Sequence, residues 1–150
     1  MKAKKSPLIL NSFLLLNHKY QFIQPSDTPD INDIMDKYYI DIDYAIKSGA
    51  DGFYQLFSKI GINNIDKPLP GYKLFIEGVC IFSFDKSKEI PKLIKNQLLY
   101  ASGINICINS LRNIIAIITA NGPFGKYTLP AIDVNHLMAN KKRISQKRKK

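Results

Sequence analysis

Apolar residues in the first two thirds of the chain follow the patterns of β-strands. Residues 8–23 are rich in Leu, Phe, Ile and Tyr, which predicts a long strand bent or bulged at Asn17. Residues 38–47 carry an apolar side chain at every second position, so they predict a strand with one dry and one wet face. Two more apolar runs, 53–62 and 72–85, follow turns rich in Gly and Pro. Short connections favour an antiparallel meander, because parallel neighbours need longer crossovers.

The segment that joins the first two predicted strands has a different character. Residues 25–37 contain two prolines and several aspartates, which predicts an irregular crossing loop. Ile31, Ile34 and Met35 are its apolar anchors.

The last third of the chain has helical periodicity. Pro91 suits the first turn of a helix that runs to about Tyr100 and is broken at Ser102-Gly103. From Asn105, apolar residues recur at spacings of three and four, which predicts a second helix. Its stripe consists of Cys107, Leu111, Ile114, Ile115 and Ile118.

A turn and a final helix complete the predicted order of elements. Asn121-Gly122-Pro123 ends the second helix, with Gly122 in the left-handed position that follows many helices. Residues 124–132 are expected to be extended, and Asp133 can cap a last helix. The pattern predicts one α+β domain in residues 1–150, with a four-stranded antiparallel sheet and two C-terminal helices packed on one side.

The net charge of +10 is concentrated at the two ends of the chain. Residues 1–5 hold three lysines, and residues 141–150 hold seven basic residues without an acid. The folded body, about 8–140, is therefore balanced and shows no sign of a basic binding face. The tail 141–150 is predicted to be disordered or a fraying helix end. Seven aspartates between 27 and 51 make one segment locally acidic, and Asp41 and Asp43 are candidates for a surface that meets a basic partner.

Candidate catalytic chemistry is absent from the pattern. Gly125-Lys126 lacks the earlier glycine and the Ser/Thr of a phosphate loop. The two histidines are isolated, and Cys80 and Cys107 lie too far apart in sequence for a metal motif. We therefore expect no catalytic, cofactor or metal site and no enzyme. Two cysteines are too few for a disulfide scaffold and predict reduced, buried thiols in a cytoplasmic protein.

The N-terminus resembles a secretory leader without matching one. Lysines precede an apolar run, but Pro7, Asn11 and Asn17 interrupt that run and no small-x-small cleavage site follows. No uninterrupted stretch of 18 apolar residues occurs, so we expect no membrane insertion.

The sequence holds more apolar residues than a small core requires. Aromatic residues fall on both faces of the second and third predicted strands, which indicates either a dimer core or a binding surface. The crossing loop and the last helix supply a second apolar set that could line a groove for an extended apolar segment, with ordinary packing as the alternative. Its members are Ile31, Ile34, Met35, Phe124, Tyr127, Leu129, Ile132, Val134, Leu137 and Met138.

Several short motifs, in order and at near-equal spacing over residues 8–140, resemble the SecB family of protein-export chaperones. The most specific are Leu111-Arg112, Gly122-Pro123-Phe124 and the run from Leu129 to Met138. Ile81-Phe82-Ser83 resembles the end of the fourth strand of that family. Phe22-x-x-Pro25 and Asp41-Ile-Asp43 resemble the borders of its crossover loop.

The resemblance implies a fold, an assembly and a function. It implies a dimer of dimers with helices packed between the dimers, and we place Leu111, Ile114, Ile115 and Ile118 at that interface. It also implies ATP-independent holding of unfolded preproteins in apolar grooves, with transfer to the SecA motor for export. The chain departs from the family at Lys19 and Ile23, where acids are usual, and in its basic tail, so engagement of SecA is in doubt.

Two other functions remain open at this point. A SecB-like chaperone dedicated to an antitoxin or another single client would have a narrow client range. A nucleic-acid- or ribosome-binding protein could act through the tail 141–150, with a salt-dependent affinity.

Overall fold

Four antiparallel strands form one sheet in the computed structural model, which describes residues 1–26 and 30–147, with the backbone alone at Lys147. Asp27 of the acidic segment and the last three basic residues of the predicted tail lie outside the described residues. The strands are β1 (Leu8–Ile23), β2 (Ile40–Ser48), β3 (Tyr54–Ile62) and β4 (Gly71–Phe84). Their order is β1-β4-β3-β2, so β1 and β2 are the edge strands. The predicted α+β architecture is confirmed.

The long first strand contains two irregularities in its pairing with β4. The register shifts between Leu10 and Ser12 and again between Leu15 and Asn17. The second shift lies next to the predicted bulge at Asn17, and the first was not predicted. An extra residue at each position increases the local twist, which lets a strand of 16 residues follow a sheet of shorter neighbours.

The helices are α1 (Ile31–Asp36), α2 (Lys92–Leu98), α3 (Ile104–Thr119) and α4 (Val134–Lys147). The short α1 lies inside the predicted crossing loop, and the Asp30 carboxylate caps it by accepting hydrogen bonds from the backbone N–H groups of Asn32 and Asp33. Asp133 caps α4 as predicted, because its side chain accepts from the N–H of His136 at 2.9 Å.

The prediction that Ser102-Gly103 separates two helices is wrong. A π-helical turn, Leu99–Gly103, joins α2 to α3 without a break. Gly103 is buried there, and a Cβ atom at that position would lie 3.3 Å from the side chain of Leu56. The glycine therefore lets the helix approach the sheet closely instead of ending the helix.

The helix α3 covers the inner face of the sheet and contributes five buried apolar residues to the core, which are Ile104, Cys107, Ile108, Leu111 and Ile115. Leu111 and Ile115 are fully buried among sheet side chains that include Ile76 and Phe82. This corrects the placement of Leu111 and Ile115 at an oligomer interface, because neither side chain can reach another copy of the chain. Ile114 and Ile118 are partly buried against the same core. The large apolar residues of α2, the π-helical turn and α3 that remain exposed are Leu93, Ile94, Tyr100 and Ile117.

The helical run from Lys92 to Thr119 is 28 residues long, and its length and composition would suffice to cross a membrane. The sequence analysis missed it because single polar residues interrupt the apolar ones. A core helix of a globular domain has the same properties, and α3 packs one face against the sheet. The run is therefore weak evidence for a membrane.

A network of hydrogen bonds around Tyr72 fixes the end of the sheet at which β4 begins. The Tyr72 hydroxyl donates to the carbonyl of Gly125 at 2.7 Å and accepts from the N–H of Phe124. Gly122 packs on the same ring, where a Cβ atom would lie 2.4 Å from the hydroxyl oxygen. Gly122 does not have a positive φ, so the reason for glycine is space and not the left-handed cap that we predicted.

Two further side chains tie the loops to this network. Asn63 is fully buried and has a left-handed φ of 52°. Its side-chain amide nitrogen donates to the carbonyls of Leu69 and Tyr72, and its amide oxygen accepts from the N–H of Leu69. Arg112 of α3 donates to the carbonyls of Leu129 and Pro130, which holds the extended segment that leads into α4.

We expect Asn63→Ala to lower the free energy of unfolding by about 2 to 4 kcal/mol, because it leaves buried polar groups without partners and strains a left-handed residue. Urea denaturation followed by circular dichroism measures the change. The exposed neighbour provides the control, since Asn64→Ala should stay within about 0.5 kcal/mol of the parent protein. Equal stability of the two variants would contradict this role of Asn63.

Candidate functional site

The last helix, α4, lies along the free edge of β2. Its first turns face the start of the strand, where Ile132 and Leu137 lie near Ile40. Its last turns reach the end of the strand, where Lys142 and Ser145 share a depression with Ile46 and Tyr100. Residues 141–147 are helical, so of the two alternatives predicted for the tail, the helix end and not disorder applies to the part that the structure describes. The contacts of Lys141 and Ile144 with β2 explain why the helix continues.

A groove of about 430 Å³ separates the edge of β2 from α4. Its floor is apolar and comes from both sides of the gap: Ile40 and Ile42 from the strand, and Ile132, Leu137 and Ile144 from the segment that leads into and forms α4. Polar groups follow its rim, namely Asp41, Asp133, His136, Asn140 and Lys141. A narrow apolar floor with a polar rim suits an extended, partly apolar ligand.

The backbone of β2 adds unpaired hydrogen-bonding groups to one wall of the groove. The Tyr39 carbonyl accepts from the N–H of Asn63, so it points toward β3. Because successive residues of a strand point their N–H and C=O groups to opposite sides, those of Ile40 and Ile42 point into the groove. The N–H of Tyr44, next on this side, is bound by the Asp43 carboxylate at 2.9 Å. The backbone edge of β2 is therefore open at two residues, Ile40 and Ile42, and the Asp43 side chain occupies the next position.

Lys141 closes the same end of the groove from the helix side. Its ammonium group forms an ion pair and hydrogen bond with Asp43 and lies 5.5 Å from the centre of the Tyr44 ring. Lys59 lies 3.8 Å from the other oxygen of Asp43. Burial tends to raise the pKa of Asp43, but the hydrogen bonds from Lys141 and Tyr44 and the two positive charges hold it below its ordinary value.

The structure brings two of the ten predicted groove residues to the groove, Ile132 and Leu137. Tyr127, Leu129 and Val134 are buried in the core, which corrects their placement on a binding surface. The pKa of Tyr127 is raised to about 12 by burial and by the nearby Tyr38 and Asp36. Tyr127 and Leu129 anchor the extended segment in the core and Val134 anchors the start of α4, so they support the groove and do not line it.

The other five predicted groove residues occupy intermediate positions. Ile31 is partly exposed on α1. Ile34, Met35, Phe124 and Met138 pack partly against the core. Whether any of them contacts a ligand stays a prediction.

The sequence analysis missed the residues that form most of the groove, which are Tyr39, Ile40, Ile42 and Ile144. The alternation in residues 38–47 was correct, but it could not show that β2 is an edge strand whose backbone is open to α4. Ile144 was missed because it lies in the basic segment that we assigned to the tail. Its spacing of seven from Leu137 was the signal that could have extended the helix.

The opposite edge of the sheet exposes apolar residues on both faces of β1. The large side chains that are at least two fifths exposed are Ile9, Leu10, Leu14, Leu15, Leu16 and Tyr20. An unpaired strand of this length and composition would favour pairing with another chain.

The outer face of the sheet, away from α3, is mixed in charge. The register places Asp41, Gly61, Phe75 and Lys19 in one row across the four strands, and Asp43, Lys59, Glu77 and Asn17 in the next. Asp41 is exposed, whereas Asp43 is paired with Lys141 and Lys59. The predicted acidic partner surface therefore lies on this face, but basic residues share it.

The two cysteines are free and fully buried. Cys107 of α3 donates to the Leu56 carbonyl at 3.6 Å, and Leu56 pairs with Cys80 across the sheet. The neighbouring Cys80 thiol and burial both raise the pKa of Cys107, so its thiol stays protonated. Among the described residues, no group of three or more His, Cys, Asp or Glu side chains could hold a metal ion.

Comparisons with known proteins give one structural relative of interest. No protein-family model matches the chain, and no curated protein matches its sequence. The fold is similar to that of a SecB-like chaperone of Mycobacterium tuberculosis, Rv1957, solved in complex with a ChAD peptide from the HigA1 antitoxin. The TM-score is 0.62 at 10% sequence identity, and the match covers 85% of this chain and 91% of that chain. At this identity the similarity shows a shared SecB-like fold.

We expect Lys141→Ala to loosen the end of α4, because it removes the ion pair with Asp43 and the contact with the Tyr44 ring. Both groups of the pair are about two fifths exposed, so the loss is about 1 kcal/mol or less. Amide hydrogen exchange in residues 141–146 should accelerate by up to about fivefold. Arg143→Ala, at an exposed position of the same helix, should leave it unchanged.

Acid should produce the same loosening in the parent protein. The lowered folded-state pKa of Asp43 means that the pair contributes above the ordinary pKa near 4 and is lost as the pH falls through the lowered value. The methyl NMR signal of Ile144 should follow this transition, and Lys141→Ala should reduce it. A signal that titrates identically in both proteins would contradict the closure of the groove by this pair.

Proposed function

We propose that this protein is an ATP-independent chaperone that holds extended segments of unfolded polypeptides in the groove between β2 and α4. The observation that carries the proposal is an apolar floor placed beside two unpaired hydrogen-bonding positions of an edge strand, at Ile40 and Ile42. The shared fold with a SecB-like chaperone supports it.

The chemistry of the groove favours affinity without sequence specificity. Main-chain hydrogen bonds to Ile40 and Ile42 can form with any extended segment, since every residue except proline carries the same backbone donor and acceptor. Apolar side chains of the client would then lie on Ile132, Leu137 and Ile144. Burial contributes about 25 cal/mol per Å² removed from water, and ordering of the client offsets part of it. Shallow contacts of this kind exchange readily, so release requires a competitor and no hydrolysis.

We also propose that the protein acts in the cytoplasm. Two reduced cysteines in the core fit a cytoplasmic protein. Action on preproteins for export remains a prediction of the family resemblance. Transfer to the SecA motor is likewise a prediction of the family resemblance. The mixed charge of the outer sheet face does not favour docking of a strongly basic segment of such a partner.

A dedicated chaperone is the second candidate function. The SecB-like chaperone of M. tuberculosis was solved with a peptide from an antitoxin. The same groove could serve one client if its rim, with Asp133, His136 and Lys141, selects particular charges. Client range separates the two functions: a general chaperone binds many unrelated denatured proteins with similar affinity, whereas a dedicated one binds a single segment orders of magnitude more tightly.

We propose further that the protein is a homo-oligomer that pairs through β1. The strand exposes apolar residues on both faces beside an unpaired backbone edge, and pairing with β1 of a second copy would cover both. A dimer of dimers, which the resemblance implies, would additionally cover Leu93 and Ile117 of the long helical run.

The holding function predicts that the full chain suppresses aggregation of chemically denatured proteins on dilution, without ATP and at physiological salt. We expect Ile144→Ser and Tyr39→Ser to weaken client binding by roughly three- to tenfold, as expected for partial loss of one apolar contact. Light scattering against the chaperone-to-client ratio measures both.

Ile65→Ser is the control, since Ile65 is also an exposed apolar residue but lies in the loop between β3 and β4. It should suppress aggregation like the parent protein. The proposal fails if the folded parent protein does not suppress aggregation of any client, or if all three variants behave alike.

The oligomer predicts that charge on β1 separates the subunits. We expect the double variant Leu14→Lys, Leu15→Lys to reduce the molar mass in solution by half or more, because these adjacent positions place lysine on both faces of an edge strand, which opposes pairing. Light scattering coupled to size exclusion measures the mass against 17.1 kDa for one chain. Ile65→Lys controls for added charge. An unchanged mass in the β1 variant would assign assembly to another surface.

A further inference from the structure

The fold gathers basic residues from three separate segments around the loop in which β2 turns into β3; we call this end of the sheet the hairpin end. It comprises residues 1–7, 48–53 and 85–95 and the last turns of α4. The Asp85 N–H donates to the Pro7 carbonyl at 2.9 Å, which fixes the N-terminal segment beside the end of β4. Lys95 of α2 lies 5.6 Å from the centre of the Phe84 ring. The contact of Lys142 with Tyr100 and Ile46 brings α4 to the same place.

Positive charge greatly exceeds negative charge at this end. The described residues there include nine basic side chains: three in the N-terminal segment, two between β4 and α2, two in α2 and two in α4. Asp51, Asp85 and Glu89 are the acids. Within this described set, the ion pair Lys88–Asp85 is the one found, at 3.4 Å, so most of the positive charge is uncompensated.

The opposite end of the sheet is nearly balanced in charge. Its described residues include Asp30, Asp33 and Asp36 around α1 together with Asp41, Asp66 and Asp133, against five lysines at 19, 37, 67, 73 and 126. Five of the nine basic side chains at the hairpin end come from the two basic ends of the chain, so the fold brings the charge of both chain ends to one end of the sheet. The positive electrostatic field at the hairpin end attracts polyanions to that end of the molecule.

Aromatic rings lie between the lysines in two depressions at the hairpin end. One, of about 390 Å³, places Phe53, which is 40% exposed, with Lys86, Lys88 and Lys95. The other, of about 440 Å³, places Tyr100, which is 44% exposed, beside Lys142. Half-exposed rings stack on unpaired bases, and lysines bind the phosphates that link those bases.

We propose that the hairpin end binds single-stranded nucleic acid, with lysines on the phosphates and with Phe53 and Tyr100 stacked on bases. Duplexes cannot use the rings, because their bases are already stacked, and lysine-rich contacts read charge and not sequence. This site lies at the other end of β2 from the free backbone of Ile40 and adjoins the proposed polypeptide groove at Lys141, which lines both the groove and the depression beside Tyr100.

A fluorescent 20-nucleotide oligouridylate tests the proposal by anisotropy over a range of salt concentrations. For the full chain, the triple variant Lys86→Gln, Lys95→Gln, Lys142→Gln should bind roughly tenfold or more weakly near 100 mM salt. Its plot of log K against log salt should be shallower by about two, since three phosphate contacts on a single strand are lost. The matched control is Lys67→Gln, Lys73→Gln, Lys126→Gln, which removes the same charge from the opposite end and should bind like the parent protein.

Stacking has its own readout. Phe53→Ala should weaken binding by at least about fivefold without changing the salt slope, whereas Tyr39→Ala, an exposed aromatic at the opposite end of β2, should not. If both triple lysine variants lose the same affinity for the oligouridylate, the proposal is overturned, because net charge alone would then explain binding. Tighter binding to a duplex of equal length would also overturn the proposal. Binding to phosphatidylserine vesicles without binding to the oligouridylate would overturn it too, because the basic end would then be a membrane-binding surface.

Discussion

The buried Tyr72 side chain holds together the parts of the chain that define the groove. Its hydroxyl group joins β4 to the turn at 122–125, while its backbone N–H donates to the hydroxyl of Tyr38 at 2.9 Å. Tyr38 in turn donates to the carbonyl of Pro70 and packs its ring against Tyr127. One aromatic residue thus links the start of β2, the β3–β4 loop and the segment that precedes α4. Hydroxyl groups buried in this way are stable because each finds a partner, and their positions are correspondingly fixed.

This arrangement explains why an open groove can persist in a small domain. Apolar walls tend to collapse on each other unless both are held from behind. Here the strand wall is held by its pairing with β3 and by Tyr38, and the helix wall is held by Arg112 through the carbonyls of Leu129 and Pro130. The groove is closed at one end by Lys141 on Asp43. The space between Ile42 and Leu137 therefore depends on polar anchors outside it.

Local pattern predicted the elements of this fold better than it predicted their partners. The alternation in residues 38–47 and the stripe in α3 identified a strand and a helix, because both depend on periodicity along one segment. Tertiary packing decides which side of each element faces the core of its own chain. Periodicity does not show this, and Leu111 and Ile115 were therefore wrongly placed at an interface. Gly103 shows the same limit: its role depends on Leu56, nearly fifty positions away in sequence.

The candidate site was the least accessible to sequence reasoning for a related reason. A groove along a strand edge is formed mainly by backbone and by spacing between elements, and neither has a residue signature. The apolar residues that looked most suitable, Tyr127 and Leu129, were the ones that the core required. Ile144, by contrast, lies in the basic segment 141–150, and Tyr39 was one of the aromatic residues assigned to either a dimer core or a binding surface. The correct signal was the continuation of helical spacing into a segment that its charge alone had suggested was unfolded.

The basic segment after residue 140 therefore has two separate physical roles. Lys141 is partly buried against Asp43 and Tyr44, and its ion pair with Asp43 attaches α4 to the edge of the sheet. The next residue, Lys142, lines the depression beside Tyr100 and adds its charge to the hairpin end. Helical geometry separates these roles, because adjacent positions on a helix point about 100° apart. A flexible tail could supply the same net charge, but it could neither close a groove nor fix the distance between its lysines and the rings of Phe53 and Tyr100. The helical conformation of this segment thus gives its charge a defined position on the molecule.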